Sequence, residues 1–369
     1  RPIYEKAVAD AKAADTPEKR RGVGIAWGGF NVTEGGGDSA EVALELMPGN
    51  KIRKYDTWHA MGQGATTGSL VVTLEALKEM HLTPEDIQLI QNDTKTCPDT
   101  GMAGASRSLY MDGNATIIAA NKLLAAMRKE DGTLRTYDEM KAEGIETKYL
   151  GRYETNTTPG LCRLDPNTGI GDPTPAFTYC LNLAEVEVDT KTGKTTVLKF
   201  TCVDFVGRIG NIDAVNGQAY SGIMHGIGFA LKEDYADVKK HANMFGAGTS
   251  YIKDVPDDIN LIHIDGAISD GPFGSSGASE AFQASGHCAV LNGIYNACGV
   301  RIHEIPALPE KVKAGLDAIA KGEKPYEPKK YFLGSDMYEE LENIKENPVQ
   351  VGTQSFYVSL DDPTAERPF

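Results

Sequence analysis

Gly271-Pro-Phe-Gly-Ser-Ser-Gly-Ala-Ser-Glu280 leads from a hydrophobic strand at residues 260–264 into a helical run at 281–298. Three glycines between a strand and a helix let the backbone approach a bound group closely, and the free N–H groups of the new helix then face that group. Glu280 stands where the helix is expected to begin. Taken alone, it reads as a carboxylate that complements the helix dipole. Its company changes that reading, because two more loops of the same glycine-rich, loop-to-helix form occur upstream.

The first of these is Met61-Gly-Gln-Gly-Ala65, which opens an apolar-periodic helix over 66–80. Gly62 and Gly64 flank Gln63 and free its amide and the neighbouring backbone to meet a ligand. The second runs from Asp93 to Arg107 and opens a helix over 108–129. Gly101, Ala103, Gly104, Ala105 and Ser106 leave room for a flat, bulky group against the backbone. Arg107 at a helix start is disfavoured by the dipole and calls for a carboxylate or phosphate partner, with pairing to a structural Asp as the alternative to a ligand. All three loops could converge on one anionic ligand, with Gly277, Ala278 and Ser279 contributing beside Glu280.

Around these loops the chain reads as mixed α+β, two lobes of twisted sheet with covering helices. A charged connector helix is expected over 1–21, with Pro17 as a breaker near its end. Strands follow at 22–30, 40–46, 51–58 and 87–91, then a short helix at 137–142 and a strand at 148–152. Trp27 and Phe30 either wall a substrate channel or belong to the core. The stretch 160–175, rich in Gly, Pro, Asp and Asn, marks the break between a first lobe, 1–159, and a second, 160–324. Beyond it, alternating strands at 177–189 and 195–206 flank a hairpin turn, and a small-residue helix covers 215–231. A short strand at 299–305 and a helix at 309–321 precede a tail, 325–369, with extended pieces and one acidic helix.

Composition narrows the function. The 369 residues carry 41% hydrophobic residues and a formal charge of −15, enough for a core and wrong in sign for nucleic acid or an anionic membrane. No apolar run approaches the ~20 residues that span a bilayer, and no signal peptide opens the chain. A cytoplasmic setting is expected. The six cysteines include no C-x-x-C pair, so neither zinc nor an iron–sulfur cluster follows from their spacing.

The segment GPFGSSGASE, together with HCAVLNGIYNACGVRIHEIPALPEKV at 287–312, resembles the C-terminal part of the molybdenum-binding domain in the xanthine oxidase family. The likeness extends from about Arg1 to about Pro325 and is greatest to bacterial aldehyde oxidoreductases that carry molybdopterin cytosine dinucleotide. It implies a cofactor held between the lobes, molybdenum or tungsten without direct side-chain ligation, and Glu280 as general base. It also implies that Gly62-Gln63-Gly64, the loop ending in Arg107, and Gly217-Gln218 hold the cofactor.

The chain departs from the family at His225, where Gln is usual, and at Ser279 and Ala281-Phe282 beside the glutamate. Relatives also carry iron–sulfur domains and the first half of the molybdenum domain upstream. A second chain that supplies the other half of the site is therefore implied, with 2Fe–2S clusters on it or on a further subunit, and the assembly itself could dimerise. The expected activity is oxidation of an aldehyde to a carboxylate with oxygen from water. Hydroxylation of an N-heterocycle of purine or nicotinate type, or a scaffold role without catalysis, are the alternatives.

Overall fold

Strand β1 (Lys19–Val32) pairs antiparallel along its whole length with β6 (Ala176–Asp189), from Lys19 opposite Asp189 to Val32 opposite Ala176. The computed structural model describes residues 1–33, 38–91, 93–155, 165, 168–171, 174–237 and 239–323. Helix α1 (Pro2–Ala14) precedes β1 and is shorter than expected. Asp15 already takes an extended backbone, and its carboxylate accepts from Arg20 Nε and the Arg21 N–H, so Lys19, Arg20 and Arg21 join the strand. Pro17 in the link cannot continue a helix.

Among the described residues two mixed four-stranded sheets form. The first runs β1-β6-β7-β8, with β7 (Thr195–Phe205) antiparallel to β6 and β8 (Asp258–His263) parallel to β7. The second runs β4-β3-β2-β5, built from β2 (Ser39–Met47), β3 (Lys51–Asp56), β4 (Ile87–Gln91) and β5 (Lys148–Glu154). Mixed α+β architecture with covering helices is thus what the chain adopts, and the first sheet takes its edge strand β1 from the N-terminal part of the chain.

Helix α2 (Ala65–Ala76) and helix α3 (Ser108–Met127) cover the second sheet, where Leu44, Leu46 and Ile52 pack with Leu123 and Met127, and α4 (Tyr137–Ala142) closes one end through Met140. Helix α5 (Ile212–Leu231) and helix α6 (Gly286–Cys298) cover one face of the first sheet, where Phe200, Ile223, Phe282 and Ile294 are fully buried. Burying each such side chain contributes about 1.5–3 kcal/mol. Gly24 is what lets β1 meet α6, because a Cβ there would stand 1.9 Å from the Ala289 carbonyl oxygen.

Helix α7 (Pro309–Ala320) ends the described chain. The expected strand at 299–305 does not form. Gly299 ends α6 in a left-handed conformation, and the segment is tied down by the Ala307 N–H on the Ala230 carbonyl rather than by a ladder. The expected tail helix and most of the 160–175 break lie outside the described residues.

Candidate functional site

The three glycine-rich loops meet. A cavity of about 1180 Å³ is lined by Gly62, Gln63 and Gly64, by Ala103, Gly104 and Ser106, and by Gly277, Ala278, Ser279 and Glu280. It exceeds the span of about 300–1,000 Å³ common for small-molecule sites, which favours a long ligand. The first turns of α2, α3 and α5 all reach its wall through Ala65, Ser108 and Ala214. Three helix N-termini on one cavity add partial positive charge and favour an anion.

Each loop is shaped by local chemistry. Gly64 caps α2 at φ 87°, in the left-handed region. Gln63 lines the cavity, but its amide folds back into its own loop, donating to the His59 carbonyl and accepting from the Met61 N–H. In the next loop Ala105 and Ser106 both stand at φ 48°, a conformation that costs about 1–3 kcal/mol per residue without glycine. The Thr33 N–H holds the Ala105 carbonyl at 2.9 Å.

Arg107 maintains that strained turn, and from outside the cavity. Its guanidinium grips Asp38 in a bidentate pair at 2.7 and 2.8 Å and donates to the carbonyls of Thr100, Met102 and Ser39. The carboxylate partner expected from its position is therefore structural. Gly101 belongs to the same clamp, since a Cβ there would lie 2.7 Å from Arg107 Nη1. Gly101, Ala105 and Arg107 thus shape the loop without being among the residues that line the cavity.

Loop meets loop at Gly277, where an added Cβ would stand 1.8 Å from the Ser106 carbonyl oxygen. That approach brings the Ser106 hydroxyl to 2.8 Å from Glu280 Oε2, donating to the carboxylate. Glu280 is half-buried on the cavity wall. It does not start a helix as expected. Ala281–Gln283 form a single 3-10 turn, and α6 begins only at Gly286, because the chain turns to bury Phe282 against Gly222 of α5. The dipole argument for Glu280 accordingly lapses, and the Ser106 bond takes its place.

The other expectations divide. Gln218 lines the cavity, whereas Gly217 on the same helix is exposed and does not. Phe30 packs against the core of the first sheet. Trp27, three residues away and so on the opposite face of β1, is 66% exposed and stacks on Tyr179, so the two aromatics wall no common channel. His225 meets Phe229 edge to face and is not among the lining residues.

Several contributors were not singled out by sequence. Arg208 lines the cavity, its backbone N–H fixed on the Gly274 carbonyl. A cation between Gly207 and Gly210 just ahead of a helix was the available signal. Asn211 caps α5 by accepting from the Ala214 N–H. Ser276 lines the cavity with a buried hydroxyl that has no partner among the described residues.

Beneath the first loop, Lys54, Asp56 and Asp112 are fully buried, with Lys54 Nζ 2.7 Å from Asp112 and 3.2 Å from Asp56. Asp56 also accepts from Ser69 of α2 and Gln91 of β4. Burial pushes the Asp112 carboxyl up to about 7; the Lys54 charge opposes this and the Asp56 charge adds to it. The cluster joins β3, α2 and α3, the elements that carry two of the three loops.

A wide cavity walled by backbone and small residues, three helix ends turned on it and an unsatisfied hydroxyl at Ser276 together fit a flat, anionic dinucleotide-like group. The chain belongs to the molybdopterin cofactor-binding domain family, whose profile matches residues 2–256. It is 40% identical to the aldehyde oxidoreductase of Megalodesulfovibrio gigas over 86% of this chain and 35% of that protein. The crystal structure of the aldehyde oxidoreductase from Desulfovibrio desulfuricans superposes with a TM-score of 0.81 at 43% identity, covering 85% of this chain and 34% of that one. The gamma subunit of the 6-hydroxypseudooxynicotine dehydrogenase complex of Paenarthrobacter nicotinovorans is 23% identical over 87% of this chain and 43% of its own. The xanthine oxidase family resemblance is thereby confirmed, and the chain spans about a third of the aldehyde oxidoreductases that it matches. Among the described residues no helix is long and apolar enough to cross a membrane.

Proposed function

We propose that this chain forms one wall of a molybdenum hydroxylase site and supplies its proton acceptor, oxidising an aldehyde to the carboxylic acid with oxygen from water. The observation that carries this reading is Glu280, held by Ser106 on the wall of a cavity built from three glycine-rich loops. Conversion of an aldehyde and water to an acid releases two electrons and two protons. When bound, the molybdenum–pterin group supplies the two-electron redox chemistry.

The chain's own residues supply position and proton transfer. Glu280 accepts a proton at its carboxylate as general base, and the Ser106 hydroxyl fixes Oε2 so that the group does not have to reorient during the reaction. Gly62, Gly64 and Gly104 would let backbone lie against the bound group and Gln218 and Ser279 would border it, while Gly277 lets the Ser106 loop pack beside them. The first turns of α2, α3 and α5 would favour the phosphates of a cytosine dinucleotide form. A partner polypeptide provides the other wall and the 2Fe–2S clusters that take the electrons. The likeness to a complex subunit in Paenarthrobacter nicotinovorans agrees with a divided assembly.

Glu280→Gln tests the assignment in the intact assembly, with aldehydes and N-heterocycles offered beside a dye acceptor. Molybdenum and pterin should remain at wild-type levels while aldehyde turnover disappears. Retention of a tenth of the activity would overturn the role of Glu280, and an assembly without molybdenum, tungsten or pterin would leave only a scaffold.

A further inference from the structure

His263, the last residue of β8, joins three elements beside the cavity. Its Nδ1 lies 2.8 Å from Oδ2 of Asp204, its register partner on β7, and its Nε2 lies 2.8 Å from Oδ1 of Asn216 on α5. The three side chains are not among the lining residues, but their neighbours are: Val206 and Arg208 follow Asp204 along the chain, and Val215 and Gln218 flank Asn216. The Asp204 side chain is fully buried, and its Oδ1 has no partner among the described residues.

Both atoms that face the ring are oxygens. A neutral imidazole donates from one nitrogen only, so the two bonds coexist only while Asp204 and His263 together hold two protons, one between Oδ2 and Nδ1 and one on Nε2. With one proton lost, a bare Nε2 faces the Asn216 oxygen, and α5 is released from the strands at that point. Burial raises the Asp204 carboxyl and the imidazole opposes the rise, so a bare carboxylate is disfavoured here and the second proton is retained into less acid solution. Cys180 on β6 stands opposite Asp204 in the register, and Cys202 precedes Asp204 on β7. The contact with Cys202, and burial after it, push the Cys180 thiol well up, which keeps it neutral. On α5, Asp213 and Tyr220 flank Asn216 at helical spacing; both are exposed, as is Asp265 just past β8.

We propose that His263 is a positioning residue for the cavity: by bridging Asp204 and Asn216 while the pair holds both protons, it fixes the turns of α5 that carry Val215 and Gln218, and it frees them as pH rises. The effect on a bound ligand rests on the reading of the cavity as a pterin site; the bridge itself does not.

Hydrogen exchange of the full chain, read by mass spectrometry and corrected for the intrinsic rate, tests the bridge at about pH 5 and about pH 8, the two ends of the range in which imidazoles titrate. The first turns of α5 should be protected roughly tenfold more at the lower pH, about the worth of one hydrogen bond, while α7 stays level. His263→Gln, which takes up no proton, should flatten the α5 profile. Asn216→Asp sets a second carboxylate against Nε2 and should move the transition up by about one pH unit or more. A flat wild-type profile, or one that His263→Gln shares, would overturn the proposal; where His263→Gln fails to fold, an Asn216→Asp transition that does not move would do the same. In the native assembly, pterin fluorescence retained after dialysis should fall several-fold from the lower pH to the higher, and His263→Gln should stand at the lower value throughout. Retention that ignores pH while the exchange follows it would overturn the positioning of the cavity. An assembly without pterin at either pH refutes the enzyme, and a pH-dependent exchange of α5 in the same samples still upholds the bridge.

Discussion

Ser106 and Glu280, 174 residues apart in sequence, are joined by a 2.8 Å hydrogen bond from the serine hydroxyl to Oε2. A bond to a charged acceptor is worth about 1.5–3 kcal/mol, or roughly 10- to 100-fold in a rate that depends on it. Ser106→Ala should therefore lower kcat for aldehyde oxidation at least about tenfold. Molybdenum content, measured on the same preparation, should stay unchanged. An unaltered kcat would show that the carboxylate needs no such support.

Arg107 should matter for stability more than for chemistry. Its side chain is nearly inaccessible and is spent on Asp38 and three backbone carbonyls. Removing one member of a buried pair costs about 3–5 kcal/mol, because the other charge is stranded. Arg107→Met should lower the urea midpoint by a corresponding amount. Arg107→Lys should recover little of it, since an ammonium cannot reproduce the forked geometry. A midpoint within error of wild type would place the clamp elsewhere.

Close approach and open space make opposite demands on two glycines in the cavity wall. At Gly277 an added methyl would meet the Ser106 carbonyl at 1.8 Å, whereas at Gly62 nothing among the described residues lies within 4 Å although φ is 104°. Gly277→Ala should separate the two loops and reduce bound pterin several-fold, at a stability cost of about 1–3 kcal/mol. Gly62→Ala should cost only the backbone penalty in stability, about 1 kcal/mol, and any pterin it loses should come from the methyl facing the ligand rather than from a shift of the loops. Thermal unfolding and pterin fluorescence would read both, and the opposite ranking would contradict the loop packing.

Asp112 predicts a pH dependence whose sign is fixed. Burial raises its carboxyl from 3.8 to about 7, so between those values the folded chain holds a proton that the unfolded chain has released. Its contribution is most favourable below the ordinary carboxylate range and is lost as pH rises towards 7, at up to about 1.4 kcal/mol per pH unit. Asp112→Asn should remove that slope, so the variant gains on wild type as pH is raised from 4 to 7. Denaturant titrations across that range would reveal parallel curves if the carboxyl were already ionised throughout.

The loops that make the site were legible because glycine clusters stood directly ahead of apolar-periodic runs, and the structure brings all three together. Their supports were not. The partner of Arg107 lies 69 residues earlier, and only tertiary folding makes the pair. The run from Ala281 to Ser285 contains little that breaks a helix, yet burial of Phe282 against Gly222 diverts it into a separate turn. Lys54 looks like one more surface lysine until the alternation of β3 turns it inward between two aspartates. Trp27 and Phe30 are three apart in a strand, so the twofold alternation already placed them on opposite faces and ruled out a shared channel.

The fourteen residue pairs between β1 and β6 bind the earliest strand of the chain to one laid down some 150 residues later. Severing the polypeptide between these strands would leave each piece with an unsatisfied row of backbone donors and acceptors, and neither could hold its native form alone. Co-expressed, the same pieces should recognise each other through that row, which makes the chain a natural candidate for reconstitution from halves.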